Sequence, residues 1–327
     1  MMENTIKEKI LEVSRKTGIP TKKTKDFLYF LRDGNPVENN ELLQKSGVSK
    51  NALNQAKEML SDMLMIPSKN TQLKVDAVEE VLSLFDSEYQ PEGALWSFLK
   101  TKEFNSTLKL LNKYIDKRPE PVRGYDQFLA TAETTARRSQ ILNWFEDVAG
   151  KRILLLGDDD FTSVAIANTK KASAITVLDI DDRILENINV ISKKEKFKIE
   201  TARYDVKKSL PEKYQGKYDV VFTDPPYTTE GMKLFISRAI ECLDPQNQAA
   251  RIYFCYGNSD RAKERFVSVH GAITSMGLMV RWVFDKFNRY NKAESIGNTS
   301  SLYVCDVTQL TKPLIKQNYA GKIYTAD

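Results

Sequence analysis

Two kinds of apolar pattern divide the chain. Up to about residue 118, apolar positions recur at intervals of three and four, the period of amphipathic helices. Residues 4 to about 66 predict three or four short helices of this kind. Within them, residues 41–53 read as a helix-turn-helix. An apolar helix is followed by the turn residue Gly47, Val48 plugs the core, and Ser49 caps a second helix that continues through Ala56, Met59, Leu60 and Met63. Further helical patterns over 71–90 and 94–118 complete a winged-helix-like module and lead out of it, with Pro119-Glu120-Pro121 as a joint.

From about residue 150 the pattern changes to short apolar runs alternating with helical stretches. Strands are predicted at 152–157, 175–179, 199–205, 218–224 and 250–256, with helices opening at Thr162, Asp181 and Glu230 and a last one around 260–276. Repeated β–α alternation with short loops specifies a doubly wound, Rossmann-like parallel sheet. Two final strands, 279–287 and 301–308, have no helix between them and so form a β-hairpin, as in class I methyltransferase-like sheets. The expected division is an α-rich winged-helix-like domain over 1–90, a helical linker over 91–122 and a catalytic domain over 123–327. The segment 281–298 reads as a loop able to close over a site, and the tail from Thr311 as a segment that docks or frays.

With 327 residues, 41% hydrophobic and 28% charged, the chain has the composition of a globular protein, which rules out disorder and collagen. The first residues lack an apolar core of signal-peptide length, and no stretch suits a membrane span, so a cytoplasmic location and no membrane partner are expected. Cys242, Cys255 and Cys305 stand singly in apolar segments, which predicts buried thiols rather than a metal or redox site. With His270 as the single histidine, histidine triads and histidine-rich metal cages are excluded. Carboxylates, tyrosines and backbone groups must carry any chemistry, without a metal.

In an open α/β sheet, ligands bind outside the carboxyl ends of the strands. Four strands here end in acid: Gly157-Asp158-Asp159-Asp160, Asp179 with Asp181, Asp205, and Asp224. Helix capping would account for one or two of these. Asp179 stands where a carboxylate accepts from both hydroxyls of a ribose, and Asp205 where an adenine amino group could be read, which together suggest an adenosine-containing ligand. Asp224-Pro225-Pro226-Tyr227 resembles the Asp/Asn-Pro-Pro-Tyr motif of amino-methyltransferases: two prolines cannot donate, so acceptors are left facing the crevice, suited to an amino group. An S-adenosylmethionine enzyme usually carries Gly-x-Gly-x-Gly after the first strand, where this chain places three anions behind Gly157. Like charges about 4 Å apart repel by about 1 kcal/mol in water and about 4 kcal/mol at an effective dielectric of 20. A carboxylate-bearing ligand tail is thus disfavoured and a cationic one favoured.

On these residues, with Leu178-Asp179-Ile180-Asp181-Asp182-Arg183, Phe222-Thr223-Asp224-Pro225, Glu230-Gly231, Tyr125-Asp126-Gln127 and Thr131-Ala132-Glu133-Thr134-Thr135, the chain resembles the branched-chain polyamine synthases over roughly 120–310. The resemblance implies transfer of an aminopropyl group from decarboxylated S-adenosylmethionine, a co-substrate rather than a prosthetic group, to a nitrogen of a polyamine such as spermidine, releasing 5′-methylthioadenosine. The distinctive family reaction makes two additions to the internal nitrogen. Carried residue by residue, Asp158, Asp159 and Asp160 would line the acceptor site, with Asp159 receiving or orienting the amine. Asp159, Asp160 and Asp224 are the catalytic candidates. Gly157, Asp158, Asp179, Ile180 and Asp205 would hold the nucleoside co-substrate, and Asp126, Glu133 and Tyr227 would complete an acid-rich substrate pocket. The resemblance also implies that the N-terminal module serves assembly, as a homodimer, more than DNA reading.

Two alternatives stay open: an S-adenosylmethionine-dependent amino-methyltransferase of DNA or RNA, and a DNA-binding regulator that senses a nucleoside or polyamine. Charge distribution discriminates between them, because a nucleic-acid enzyme needs a basic crevice and a polyamine enzyme an acidic one. The net charge is +5, yet residues 123–230, which hold nearly every candidate, carry 17 basic and 18 acidic residues. The positive excess lies at the two ends of the chain, which disfavours a nucleic-acid partner.

Overall fold

The computed structural model describes residues 5–46, 48, 50–67, 69–91, 101–257, 263–291 and 299–325. Its contacts group into two compact units. The first holds the chain up to Thr101 with Asn143–Asp147 and Gln246–Ala249, and the second holds Lys102–Leu142, Val148–Pro245 and the chain from Ala250.

In the first unit, helix α1 (Ile6–Thr17) opens on a capping box, in which Thr5 and Glu8 satisfy each other's amides, and closes on the left-handed Gly18. It is followed by α2 (Thr21–Leu31), β1 (Val37–Glu38), α3 (Asn39–Ser46), α4 (Lys50–Met59), β2 (Leu64–Met65), β3 (Asn70–Leu73) and α5 (Val75–Leu82). The strands form a small antiparallel sheet in the order β1-β3-β2. The predicted helix over 71–90 is corrected here. Asn70-Thr71-Gln72-Leu73 alternates half-buried and buried positions, a period of two, and pairs with strands on both sides, so the helix begins only at Val75. Gly47 and Ser49 of the helix-turn-helix reading lie outside the described residues.

The second unit is built on a seven-stranded sheet. Its elements are α6 (Lys102–Tyr114), α7 (Ala132–Trp144), β4 (Arg152–Leu156), α8 (Thr162–Asn168), β5 (Ala174–Asp179), α9 (Asp182–Glu195), β6 (Glu200–Arg203), β7 (Val220–Thr223), α10 (Thr229–Cys242), β8 (Arg251–Gly257), α11 (Lys263–Ser275), β9 (Met279–Arg289) and β10 (Thr299–Asp306). The strand order is β6-β5-β4-β7-β8-β10-β9, with the first five parallel and β10 antiparallel to both of its neighbours. This is the doubly wound, class I methyltransferase-like sheet with a terminal hairpin. Ile153, Leu154, Leu155 and Leu156 are fully buried, as a parallel strand covered on both faces requires. The chain winds one way from β4 through β5 and β6 and the other way from β7, so the crevice of such a sheet opens beyond the end of β4.

One part of this unit was not anticipated. Helix α7 is buried along most of its length, including the polar Thr134, Thr135, Arg138, Ser139 and Gln140. With polar side chains on the buried positions as well as the exposed ones, no 3.6-residue alternation of apolar and polar betrays it. The C-terminal tail docks by hydrogen bonds: the buried Arg238 donates to the carbonyls of Ile315, Lys316 and Gln317, and Thr228 donates to that of Ile323. Strand β9 runs on to Arg289, so the first half of the predicted closing loop is strand, and residues 292–298 of the rest lie outside the described residues. The three cysteines are buried. No described helix is long and apolar enough to cross a membrane.

Candidate functional site

A cleft of about 570 Å³, counting its open mouth, lies at the carboxyl ends of β4, β5 and β7. Asp126, Asp158, Asp159, Asp179 and Asp224 line it together with Gly157, Ile180 and the rings of Tyr125, Tyr204, Phe235 and Tyr324. Among the described residues no lysine or arginine belongs to this lining, so five carboxyls share the recess without a described cation in its wall.

Most of these carboxyls are committed. Gly157 takes a φ of +77°, which turns the chain sharply out of β4, and its amide donates to Leu178 O at 2.8 Å. Asp158 then accepts from the amides of Thr162 at 2.7 Å and Ser163 at 3.1 Å, which closes the first turn of α8. Burial pushes its carboxyl up to about 8, against the pull of those amides. Asp179 accepts from the amides of Asp158 and Asp181, each at 2.9 Å, so it ties the ends of β4 and β5 together. Burial raises it to about 6. Asp126, in the left-handed conformation, accepts from the amide of Thr325 at 2.7 Å and from its hydroxyl, and so holds the tail beside the cleft. Tyr125 and Tyr324 face each other there with ring centroids 5.9 Å apart.

Asp159 differs from the others. Its side chain stays partly open to the cleft, and among the described residues no hydrogen bond or ion pair holds it. Burial holds its carboxyl well above the usual range, the charges of Asp160, Asp224 and Asp179 raise it further, and Arg138 works against them.

Asp224 accepts from Arg138 at 2.8 Å, from Tyr290 at 2.7 Å and from Tyr227 at 3.2 Å. Tyr227 stands behind it, its hydroxyl donating to that of Tyr290 at 2.8 Å and its ring lying against Gly257, where a Cβ would meet the ring at 2.9 Å. Pro226, between them, lines the cleft.

Four expected site residues do not line the cleft: Tyr227, expected as a substrate contact, stands behind Asp224 instead, and Asp160, Asp205 and Glu133 are held elsewhere. Asp160 points away from Asp159 into the protein, where Arg118 at 3.0 Å, Arg138 at 2.7 Å and the Ala130 amide at 2.6 Å enclose it. Asp205 folds back on the amide of Lys207 at 2.9 Å, a local turn beyond the end of β6, and its neighbours Tyr204 and Val206 reach the cleft instead. Glu133 is exposed on the first turn of α7 and pairs with Arg137. Asp205 and Glu133 are taken by partners two and four residues away, whereas Asp160 is taken by partners distant in sequence, of which Arg138 sits in the helix that the apolar pattern missed. Among the described residues no cluster of side chains has the makings of a metal site.

The family model of the branched-chain polyamine synthase A C-terminal domain matches residues 107–325, which include every wall of this cleft. The chain belongs to this family. An uncharacterized protein of Methanocaldococcus jannaschii is 40% identical over 68% of this chain and 55% of its own length. The N(4)-bis(aminopropyl)spermidine synthases of the same organism and of Thermococcus kodakarensis are 32% and 30% identical, each over 58% of this chain and 54% and 55% of their own lengths. The chain thus matches about half the length of these relatives. The crystal structure of the branched-chain polyamine synthase from Thermus thermophilus, in complex with N4-aminopropylspermidine and 5′-methylthioadenosine, superposes with a TM-score of 0.60 and 20% identity over 97% of both chains. At that identity the likeness speaks for the fold.

Proposed function

We propose that this protein is an aminopropyltransferase that moves the aminopropyl group of decarboxylated S-adenosylmethionine to the internal nitrogen of spermidine, once or twice, releasing 5′-methylthioadenosine. One observation carries the reading: a strand-end cleft lined, among the described residues, by five aspartates and by no basic residue, with Asp159 the one of the five uncommitted there. Such a recess favours a cationic chain and disfavours the carboxylate tail of S-adenosylmethionine or the phosphates of a nucleic acid. The curated family members named as spermidine-modifying synthases, and the two ligands named with the Thermus structure, support the same chemistry.

The steps follow from the groups present. Asp179, buried where β5 ends, holds the nucleoside. Its ring packs among the apolar and aromatic side chains of Ile180, Tyr204, Val206 and Phe235, the last of these on α10. The acceptor amine arrives protonated and gives its proton to Asp159, whose raised affinity for protons suits it to receive one. The freed lone pair attacks the aminopropyl carbon next to sulfur. A C–N bond forms, the C–S bond breaks, and its electron pair stays on sulfur as the neutral thioether. After the first addition the tertiary ammonium loses its proton, and a second donor gives the quaternary product. In this proposal the domain division is 1–90, 91–122 and 123–327, with the N-terminal winged-helix-like part serving homodimer assembly in the cytoplasm.

The test is incubation with spermidine and either decarboxylated or intact S-adenosylmethionine, read by mass spectrometry of the polyamine and of methylthioadenosine. Methyl transfer, or turnover without methylthioadenosine, overturns the proposal. Asp159→Asn is expected to lower kcat at least 100-fold, the scale of a lost general base, while nucleoside binding is retained.

A further inference from the structure

We propose that Arg138 is a positioning residue for this reaction: from behind the cleft it occupies the carboxylates of Asp160 and Asp224, so that Asp159 remains the one acid free to take the substrate's proton. The inference rests on the aminopropyl-transfer reading.

The guanidinium is 1% exposed and does not line the cleft, so it touches no ligand there. One terminal nitrogen donates to Asp160 Oδ2 at 2.7 Å and the other to Asp224 Oδ2 at 2.8 Å, a fork across two carboxylates from different strands. Its Nε donates to Asn288 Oδ1 at 2.8 Å, and the nitrogen that serves Asp224 is also 3.2 Å from the Tyr290 hydroxyl. The ring of contacts closes through Ser300, which lies 2.9 Å from Asn288 Nδ2 and 2.8 Å from the Tyr290 hydroxyl. The fork is therefore fixed by α7, β9 and β10 at once.

The consequence for charge is specific. Around Asp159 lie the carboxyls of Asp158, Asp160, Asp179 and Asp224, the phenols of Tyr227 and Tyr290 behind Asp224, Asp126 across the cleft, and the cation Arg138, with a second cation, Arg118, on Asp160. Two backbone amides hold each of Asp158 and Asp179, the Thr325 amide and hydroxyl hold Asp126, Arg118 and Arg138 share Asp160, and Arg138 supplies the charge that holds Asp224. Remove Arg138 and Asp160 keeps Arg118, whereas Asp224 keeps only neutral phenol partners and competes with Asp159 for the substrate's ammonium and for its proton. The burial cost of an unpaired carboxylate also drives a proton onto Asp224, which changes where the acceptor chain binds.

The variants are Arg138→Gln, Arg138→Lys and Tyr290→Phe, the last removing a donor to Asp224 without unpairing a charge. For Arg138→Gln, kcat should fall at least 30-fold with KM for decarboxylated S-adenosylmethionine changed less than threefold. The acid limb of the kcat/KM profile should move up by roughly one pH unit, the size of one charge removed from a partly screened site. Arg138→Lys, which can reach one carboxylate but not both, should recover part of each effect, and Tyr290→Phe should give a smaller shift in the same direction. A purely structural residue would lower the melting temperature and leave kcat per folded molecule and the pH limb unmoved, and that result overturns the proposal. Should Arg138→Gln fail to fold, an unmoved limb in both Arg138→Lys and Tyr290→Phe overturns it equally. Titration of the Asp159 carboxyl carbon by NMR reads the same upward shift without turnover. A wild-type protein that releases no methylthioadenosine removes the functional reading, whereas an unmoved Asp159 titration in these variants removes the role of Arg138.

Discussion

Replacing Arg238 by Met tests how the C-terminal tail is held. The side chain is fully buried on α10 and donates to four carbonyls: Val206 at 3.0 Å, Ile315 at 3.2 Å, Lys316 at 3.1 Å and Gln317 at 2.7 Å. Its charge is met by Glu241 at 2.9 Å. Methionine fills most of the volume and supplies no donor. A hydrogen bond to a charged group contributes about 1.5–3 kcal/mol, so four at the low end sum to about 6 kcal/mol. The variant need not lose that much, because the tail can lift and give its three carbonyls to water. What is then lost is the docking of 315–317 and part of the burial of Ile323, which is 1% exposed. Breaking a buried charged pair costs about 3–5 kcal/mol, and we expect about 3 kcal/mol here. Hydrogen exchange is the assay that separates these cases. Protection of the Tyr319 amide, which donates to Lys207 O at 2.8 Å, should fall about 100-fold, while the amides of β4 lose no more than the global stability change. Tail protection within threefold of wild type, with an urea-unfolding free energy within about 0.5 kcal/mol, would refute this account of the tail.

Two more predictions concern the turn after β4. Gly157→Ala meets open space, with no atom within 4 Å of the added Cβ, so its cost is that of the +77° φ alone, about 1 kcal/mol, and a drop of a few degrees in Tm should show it. An unchanged Tm would mean that the turn relaxes. Asp158 binds its proton more tightly folded, at about 8, than unfolded, near 3.9, so the stability this contributes is complete below pH 3.9 and is lost as pH rises through 8. Asp158→Asn keeps an acceptor for α8 and removes the titration. The variant should therefore gain stability relative to wild type between pH 5 and pH 9 in urea unfolding, and a constant difference across that range would contradict the assignment.

The site shows where local pattern suffices. Acid after the turn glycine at the end of β4, after β5 and after β7 can be read directly, because strand ends in a doubly wound sheet face one crevice whatever the loops do. Asp158, Asp159, Asp179 and Asp224 meet there accordingly. The same rule fails for Asp160, four residues beyond β4, and Asp205, two beyond β6, where a peptide unit either way decides whether a carboxyl enters the crevice or turns to another partner. Glu133 looked like a pocket acid only through a motif, and its helix presents it to solvent beside Arg137.

By itself the sequence determined the order of strands and helices from 150 onward and the hairpin at the end, since these follow from period and residue type. It could not show α7, where polar side chains occupy many of the buried positions and erase the contrast that marks a helix, nor β3, whose two buried residues are too few to mark a strand. Above all it could not rank the aspartates. Five of them look alike along the chain, and only the folded structure, by bringing Arg118 and Arg138 to some and backbone amides to others, leaves Asp159 without a partner among the described residues. Which acid is free to do chemistry depends on long-range pairing, and pairing between residues far apart in the chain exists only once the chain has folded.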